Sequence, residues 1–384
     1  MQFDLSDDQR AFVQAARDFA AAELAPHAAQ WDRDGTFPRD TVSRAAALGL
    51  CGLYAPEAIG GLALPRLDAT LVFEELAAVD PSTTAFLTIH NMATWMLGTW
   101  GSPAVRDRWG ADMTAGRRLG SYCLTEPGAG SDAGALATRA VRTATGWRLD
   151  GSKAFISGAG ATDVLVVMAR SGGPGPAGVS AFVVPADTPG IGFGRNEAKM
   201  GWHSQPTRAV SFDGVEVPHD HLLGAEGEGF RLAMQGLDGG RLNIAACSVG
   251  AAQGALDLAR AHLASRRQFG RALAEFQALQ FRLADMATEL VAARQMVRLA
   301  ASRLDAGAPD ATAYCAMAKR FATDAGFAVC NDALQLHGGY GYLNDLPLER
   351  LVRDTRVHQI LEGTNEIMRV IVARRLLDPA SDLR

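Results

Sequence analysis

The chain changes its sequence pattern twice, and the resulting order of segments constrains its fold more than any other feature. Apolar residues recur at helical spacing up to about residue 119, short β-branched runs and loops occupy 120–227, and helical spacing returns from Gly229. A β-rich segment between two helical segments predicts an α+β fold. We therefore predict an N-terminal helical domain at 1–119, a middle β-domain at 120–227 and a C-terminal four-helix bundle at 228–384.

The helical segments contain clear boundary and packing signals. Ser6 and Gln9 have the spacing of a capping box, and Pro26 marks the end of the helix that begins there. Further helices are predicted at about 41–48, 67–78 and 82–100. From Leu279 to Leu304, apolar residues recur at alternating steps of four and three, as in a long helix of an antiparallel bundle.

Length and composition exclude several classes of protein. With 384 residues, 48% of them hydrophobic and 21% charged, the chain has the composition of a soluble globular protein and not of a disordered or fibrous one. A net charge of −5 argues against a general nucleic-acid-binding protein. No apolar run reaches the length of a membrane span, and five cysteines without a C-x-x-C pair are typical of a reducing compartment.

The first residues have neither the pattern of a secretory signal nor the arginine-rich character of a transit peptide. We therefore expect a cytoplasmic protein, with a processed mitochondrial matrix form as the alternative.

A glycine-rich segment at 125–132 is the clearest candidate for a ligand-binding loop. Gly128, Gly130 and Ala133 have the spacing of a dinucleotide fingerprint, but that fingerprint requires a following helix, and the sequence predicts strands there. Hydroxyl groups at Thr125 and Ser131 lie next to glycines that permit close approach of the backbone. The segment is either an ordinary loop or a site for a polar ring system or a phosphate.

Two further segments have both a structural and a functional interpretation. Phe155 followed by Ser157 is typical of a strand end with one buried aromatic residue, or of a site where a ring flanks a flat cofactor and a hydroxyl binds its edge. The run 335–342 contains three glycines, which indicates a helix C-cap, or a backbone patch that a phosphate or an adenine can approach.

Glu362 is the strongest candidate for a general base. It lies between Ile360-Leu361 and Gly363, and an apolar setting raises the pKa of a carboxyl group into the range useful for proton abstraction. Glu366 is different, because a carboxylate in the first turn of a helix is explained by the helix dipole.

Other chemical motifs are weak or missing. His219 and His221 have no third ligand at a suitable spacing, so a surface loop and no metal site are expected. The basic group Arg266, Arg267 and Arg271 indicates a solvated face or a set of phosphate partners. Neither a nucleophile elbow nor a P-loop occurs in the sequence.

These segments, in this order, resemble the acyl-CoA dehydrogenase family over essentially the whole chain. The run 124–132 is similar to the first signature of that family, and 335–354 is similar to the second, with glycines at Gly338, Gly339 and Gly341. The resemblance implies the acyl-CoA dehydrogenase fold, one FAD per subunit, a homotetramer, and an electron-transferring flavoprotein as the electron acceptor.

The resemblance also implies roles for individual residues. Flavin-ring contacts are implied for Tyr122, Leu124, Thr125, Gly130, Ser131, Phe155, Ile156 and Ser157. Contacts with the FAD of a neighbouring subunit are implied for Arg266 and Gln277. Contacts with its pyrophosphate and adenine end are implied for Gln335, Leu336, Gly338 and Gly339. Further FAD contacts are implied for Thr364, Asn365 and Glu366. Acyl-CoA contacts are implied for Ser131, Asp238, Gly239, Gly240, Arg241 and Arg374. Many relatives have Trp and Thr at the positions of Phe155 and Ser157, and both exchanges keep an aromatic face and a hydroxyl.

Glu362 matches the catalytic base of most of the family. One branch instead carries its base immediately before the position of Arg241, where this chain has Gly240 and therefore no second candidate. The implied reaction is α,β-dehydrogenation: Glu362 removes the α-proton, and the β-carbon delivers a hydride to flavin N5. The implied donors to the developing enolate oxygen are the backbone N–H of Glu362 and a ribityl hydroxyl of the flavin.

The expected substrate is a short branched acyl-CoA. Segments 172–176, 204–210, 239–245 and 358–363 are similar to the branch of the family that converts isobutyryl-CoA to methacrylyl-CoA in valine breakdown. The alternatives within enzymes are a dehydrogenase for 2-methylbutyryl-CoA or butyryl-CoA, and an oxidase that passes electrons to oxygen. A non-catalytic protein that binds acyl-CoA or FAD is an alternative of another class, and the presence of Glu362 argues against it.

Overall fold

The computed structural model describes residues 4–381 and 383. The N-terminal part is helical, and its first helix begins as the sequence predicts. Ser6 Oγ accepts a hydrogen bond from Gln9 N at 3.1 Å, and Ser6 N donates to Gln9 Oε1 at 3.0 Å, which confirms the capping box. The helices are α1 (Asp7–Phe19, followed by a π-helical turn Ala20–Leu24), α2 (Ala28–Asp34), α3 (Arg39–Ala45), α4 (Arg66–Ala77), α5 (Pro81–Trp100), α6 (Pro103–Val105) and α7 (Ala111–Thr114).

The middle part is a mixed sheet. Its strands among the described residues are β1 (Gly120–Cys123), β2 (Arg139–Arg142), β3 (Gly146–Ser157), β4 (Val164–Arg170), β5 (Val179–Pro185), β6 (Ile191–Phe193), β7 (Thr207–Pro218) and β8 (Leu222–Leu223). The strand order is β6-β7-β3-β2-β4-β5-β8, and β1 pairs with β4 in parallel. Strand β4 is buried on both faces, because Val164 and Val166 belong to one apolar core and Leu165 and Val167 to another.

The C-terminal part is again helical. Its elements are α8 (Gly229–Ser265), the small hairpin β9 (Arg267–Gln268) and β10 (Arg271–Ala272), and the helices α9 (Gln277–Asp305), α10 (Ala311–His337), α11 (Leu348–Arg356) and α12 (Asn365–Leu376). Helix α10 packs against α8, α9 and α12, which forms the predicted bundle. The predicted seam of α9 is buried at Met286, Leu290, Ala293, Val297 and Ala300.

Two small residues let α8 approach its neighbours closely. A Cβ on Gly250 would lie 2.0 Å from the carbonyl oxygen of Glu74 in α4, and one on Gly254 would lie 2.2 Å from that of Ala78. Helix α8 also packs against α5, so one long helix connects the N-terminal helices with the C-terminal bundle. The N-terminal half of α8 and the facing part of α5 line the large cavity described below.

One prediction is wrong in part. His219 is exposed, as a surface loop requires, but His221 is buried and its ring contacts Trp109 edge-on at 5.0 Å between centroids. An apolar aromatic neighbour makes the imidazole part of the core. Over the described residues, no group of three or more His, Cys, Asp and Glu side chains could hold a metal ion. Within the same part of the chain, every helix is too short or too polar to cross a membrane.

Candidate active site

A cavity of about 1790 Å³ lies where the sheet meets the helices on both sides of it. Its walls come from α5, β1, β3, α8, α12 and the loops between them. Twelve of the residues singled out in the sequence line this one cavity: Tyr122, Leu124, Thr125, Gly130, Ser131, Phe155, Ile156, Ser157, Arg241, Glu362, Thr364 and Arg374. Residues from distant parts of the sequence are thus brought together.

The glycine-rich loop is fixed by a buried ion pair. Lys153 Nζ of β3 lies 2.7 Å from Glu126 Oε1 and donates to the carbonyl oxygen of Leu124 at 3.0 Å. The carboxylate of Glu126 also accepts hydrogen bonds from the backbone N–H groups of Ala137 and Thr138, at 2.6 and 2.9 Å. Burial alone would raise the pKa of Glu126, but Lys153 and these donors lower it overall, so the carboxylate stays ionised.

Phe155 is turned toward the cavity by a β-bulge. Lys153 pairs with Val210 and Ile156 with Arg208, so three steps on β3 oppose two on β7. The extra residue gives Phe155 a φ of +58°, and 70% of its surface is exposed. The expectation of a buried Phe at a strand end is therefore wrong.

These features fit a flat ring ligand that is held by polar groups at its edge. The aromatic face of Phe155 is free, Ser157 and Thr125 line the same wall, and a side chain on Gly130 would meet nothing within 4 Å. The hydroxyl of Tyr122 is buried and has no hydrogen-bond partner among the described residues. Since an unpaired buried hydroxyl costs free energy, it is a suitable partner for a bound polar group.

Glu362 lies at the edge of the same cavity in a strained turn. Its φ is +55° and that of Gly363 is +88°, so two successive residues have left-handed backbone conformations. Its Oε2 atom is buried without a hydrogen-bond partner among residues 4–381 and 383. Burial raises the pKa of Glu362 to about 7, and the charges of Arg241 and Lys319 oppose that rise. The predicted burial is present at Oε2, but the setting is not purely apolar, because Ile360 is half-exposed and the cations Arg241 and Lys319 lie nearby.

Helix α8 contacts Glu362 with its residues 238–241. The guanidinium group of Arg241 lies 2.6 Å from the carboxylate of Asp238, and its Nε atom donates to the carbonyl oxygen of Glu362 at 3.4 Å. A Cβ on Gly240 would lie 2.4 Å from Glu362 Oε2, and one on Gly239 would lie 2.3 Å from Arg66 Nη1. Asp238, Gly239 and Gly240 are buried and pack behind the cavity, whereas Arg241 lines it.

A smaller cavity of about 540 Å³ is lined by residues that the sequence resemblance assigns to the pyrophosphate and adenine end of FAD. Arg266, Gln335, Leu336, Gly338 and Gly339 line it. Gly338 has a φ of +60° directly after α10, so the C-cap interpretation is confirmed, and the binding role of the segment stays a prediction. The large cavity and this one have no lining residue in common.

Besides Asp238, Gly239 and Gly240, three predicted site residues lie outside both sets of lining residues. Gln277 is exposed at the first position of α9, and Glu366 is exposed in the first turn of α12. Asn365 is buried, and its amide binds Lys319, Thr323 and Asp324 of α10 instead of facing the cavity. These three residues remain predictions.

Sequence reasoning missed several residues at the site. The loop 199–202 lines the cavity and includes Trp202 at a φ of +56°, and Thr88 and Ile89 of α5 form part of the apolar wall. It also missed Lys319, which is fully buried. The available signal was its spacing, because Lys319 lies four residues from both Cys315 and Thr323, on the buried face of α10.

Comparisons with known proteins agree with this arrangement. Three acyl-CoA dehydrogenase family profiles match the chain: the N-terminal domain at residues 6–117, the middle domain at 121–215 and the C-terminal domain at 227–377.

Individual relatives resemble the chain over nearly its whole length. It is 53% identical to a mitochondrial isobutyryl-CoA dehydrogenase of Bos taurus and 50% identical to that of Dictyostelium discoideum; each match covers 97% of this chain and 90% of the relative. The solved structure of butyryl-CoA dehydrogenase from Megasphaera elsdenii superposes with a TM-score of 0.95 at 37% identity, covering 98% of this chain and 100% of that one.

The resemblance deduced from the two signatures is therefore confirmed, and so is the predicted fold. Enzymes of this kind are FAD-dependent oxidoreductases that act on acyl-CoA, and the chain belongs to the acyl-CoA dehydrogenase family.

Proposed function

We propose that this enzyme dehydrogenates isobutyryl-CoA to methacrylyl-CoA, the oxidation expected in valine breakdown, with Glu362 as the base. The observation that carries the chemistry is the state of Glu362, a carboxyl group on a cavity wall. Its Oε2 atom is buried without a hydrogen-bond partner in the part of the chain that the structure describes, and burial raises the pKa of Glu362 to about 7. The choice of substrate is supported by the two isobutyryl-CoA dehydrogenases that are 53% and 50% identical to the chain.

The setting of Glu362 suits proton abstraction next to a thioester carbonyl. A base works best when its pKa lies near the operating pH, and burial brings Glu362 there. Its backbone N–H has no acceptor among the described residues, so it can donate to the oxygen on which negative charge develops. Removing such a donor typically costs about 100-fold or more in rate.

FAD is the cofactor, and the cavity residues fit its ring. Phe155 would lie against the ring, while Thr125, Ser157 and the backbone near Gly130 would bind its polar edge. When bound, FAD supplies the oxidising group that takes up a hydride from the β-carbon. Around it, the side chains of this chain orient the acyl thioester and exclude water.

We further propose that the smaller cavity serves a neighbouring subunit. Arg266, Gln335, Leu336, Gly338 and Gly339 would hold the pyrophosphate and adenine end of the partner's FAD, with Gln277 beside them. The two cavities have no lining residue in common, which supports this proposal. One chain would then contact the ring of its own FAD in the large cavity and the adenine end of the partner's FAD in the smaller cavity. A homotetramer and reoxidation by an electron-transferring flavoprotein complete the proposal.

A panel of acyl-CoA substrates tests the assignment. Initial rates with isobutyryl-, 2-methylbutyryl- and butyryl-CoA are measured with an artificial electron acceptor under saturating FAD. We expect kcat/KM to be at least tenfold higher for isobutyryl-CoA. 2-Methylbutyryl-CoA has one methylene more, which changes binding by about 1–3 kcal/mol. Butyryl-CoA is a straight-chain isomer and lacks the α-methyl branch. A clear preference for 2-methylbutyryl- or butyryl-CoA would replace the proposed substrate, and peroxide formation in air without an acceptor would identify an oxidase.

A further inference from the structure

A fully buried lysine of the bundle is bonded to the turn that carries Glu362. Lys319 of α10 has no exposed side-chain surface, and its Nζ atom donates to the carbonyl oxygen of Gly363 at 2.7 Å and to Asn365 Oδ1 at 2.8 Å. A buried ammonium group is costly unless it is paired, and no carboxylate lies within ion-pair distance of Lys319 among the described residues. The hydrogen bonds to Gly363 and Asn365 therefore offset part of the free-energy cost of burying this charge.

The turn that Lys319 binds has a strained backbone. Glu362 and Gly363 both have positive φ values, +55° and +88°, and a non-glycine residue in this region is strained. Such strain is retained only where the surrounding structure fixes it. Two cations bind the two successive carbonyl groups here: Arg241 binds that of Glu362 at 3.4 Å, and Lys319 binds that of Gly363 at 2.7 Å.

Helix α10 fixes the turn on both of its sides. After the turn, the side-chain amide of Asn365 donates to Asp324 Oδ1 at 2.7 Å and lies 3.0 Å from Thr323 Oγ1. Before the turn, Gln359 Nε2 donates to the same oxygen of Asp324, also at 2.7 Å. Lys319 is the member of this set that bonds to the residue directly adjacent to Glu362.

The charge of Lys319 also acts on the carboxyl group. The ionisable groups that face Glu362 are Arg241 of α8, Lys319 of α10, Tyr122 of β1 and Tyr54 of the loop before α4. Of these, the two cations favour the ionised carboxylate and thereby limit the rise of its pKa. Lys319 itself has its pKa lowered to about 8 by burial, while Glu362 favours its charged form.

We propose that Lys319 is a positioning residue for the proton transfer: it holds the Glu362–Gly363 turn in its strained conformation through the Gly363 carbonyl and places a positive charge near the carboxyl group of Glu362. This inference rests on the proposed role of Glu362 and adds to it a residue that never touches the substrate.

The test compares Lys319→Met with Arg260→Met in the FAD-loaded enzyme. Methionine keeps the length of the side chain but removes its charge and its hydrogen bonds. The control variant is Arg260→Met rather than a change near Asp324, because Arg260 lies on the exposed face of α8, 3.4 Å from Asp257. For Lys319→Met we expect kcat to fall about 100-fold, since a misplaced catalytic group costs that much. The acid limb of the kcat/KM profile should move to higher pH, because the carboxyl group loses a favourable cation.

A purely structural role for Lys319 would lower thermal stability and leave that pH limb in place. The proposal is overturned if folded, FAD-loaded Lys319→Met keeps both kcat within twofold and the wild-type acid limb, or if Arg260→Met changes both as strongly. If Lys319→Met is not recovered with FAD, Lys319→Gln takes its place, since glutamine keeps a hydrogen-bond donor but has no charge. An unshifted acid limb with unchanged kcat then overturns the proposal.

A parallel Glu362→Gln variant separates the two proposals. If Glu362→Gln abolishes turnover while Lys319→Met is unaffected, only the positioning role is wrong. If Glu362→Gln retains turnover, both assignments are wrong.

Discussion

The α-carbon of Gly240 faces the carboxyl group of Glu362 so closely that a Cβ there would lie 2.4 Å from Oε2. The family resemblance places the base of one branch at the position of residue 240, and in this chain that residue lies against Glu362, the proposed base. The two positions therefore compete for the same space, and a side chain at 240 is incompatible with the observed position of Glu362.

Gly240→Ala should lower turnover about 10- to 100-fold, because the new methyl group displaces the carboxylate. Bound FAD should stay near one per subunit, since Gly240 packs behind the cavity wall. Steady-state rates measure turnover, and the flavin spectrum measures bound FAD. Gly236→Ala, one turn earlier on α8, is the matched control: its Cβ would lie 3.2 Å from the flexible Met96 side chain, and its rate should stay within about twofold. Equal losses in the two variants would exclude a specific clash at Glu362.

Glu362→Gln should keep FAD and lose turnover by about 100- to 10,000-fold, because an amide cannot accept the α-proton. The measurement is the rate of isobutyryl-CoA oxidation in a variant whose flavin content equals that of the wild type. Glu289→Gln, at an exposed position of α9, controls for the loss of a carboxylate. Oxidation at a near wild-type rate would falsify the assignment of the base.

The pH dependence of kcat/KM should show an acid limb near pH 7. Only the ionised carboxylate accepts a proton, and burial raises the pKa of Glu362 to about 7, so activity should fall about tenfold for each pH unit below that value. An acid limb near the ordinary pKa of a glutamate, about 4.3, would show that the group is solvated in the working enzyme.

The same shift predicts how stability changes with pH. A carboxyl group whose pKa is higher in the folded than in the unfolded protein lowers the stability of the fold as the pH rises. The loss of stability begins near the unfolded pKa and is complete above the folded pKa. Glu362→Gln should therefore have a higher Tm than the wild type at pH 8, and the difference should vanish near pH 4. Calorimetry at the two pH values measures this, and an equal difference at both would contradict it.

Arg266→Ala should weaken the retention of FAD. Arg266 lines the smaller cavity, with its guanidinium group 5.6 Å from the centroid of the Tyr340 ring, and alanine removes a cation suited to a phosphate. Flavin occupancy is measured after dialysis, with Arg260→Ala on the exposed face of α8 as the control. Unchanged occupancy of Arg266→Ala would remove this residue from the proposed site.

Lys153→Met should destabilise the fold by about 3–5 kcal/mol, because it leaves the carboxylate of Glu126 without its cation inside the sheet domain. The double variant Lys153→Met/Glu126→Gln should lose clearly less, since neither charge is then left unpaired. Chemical denaturation of the single and double variants measures the coupling. A double variant less stable than Lys153→Met would contradict the role of the ion pair.

The sequence by itself determined the features that depend on local spacing. The capping box at Ser6 and Gln9, the buried seam of α9 and the positions of the main strands follow from periodicity and cap chemistry, which act over a few residues. Glu362 could be identified for the same reason, because its apolar neighbours are adjacent in the chain. The two family signatures supplied the identity of the enzyme and of its cofactor.

Only the tertiary structure decided the features that depend on contacts between distant segments. The bulge that turns Phe155 outward requires the register of β3 against β7, and the conflict between Gly240 and Glu362 requires α8 to pack against a turn more than a hundred residues later. The bonds from Lys319 to Gly363 and Asn365 likewise join α10 to that turn. No local pattern encodes these contacts, because hydrogen bonds and packing at a site join residues that are close only after the chain has folded.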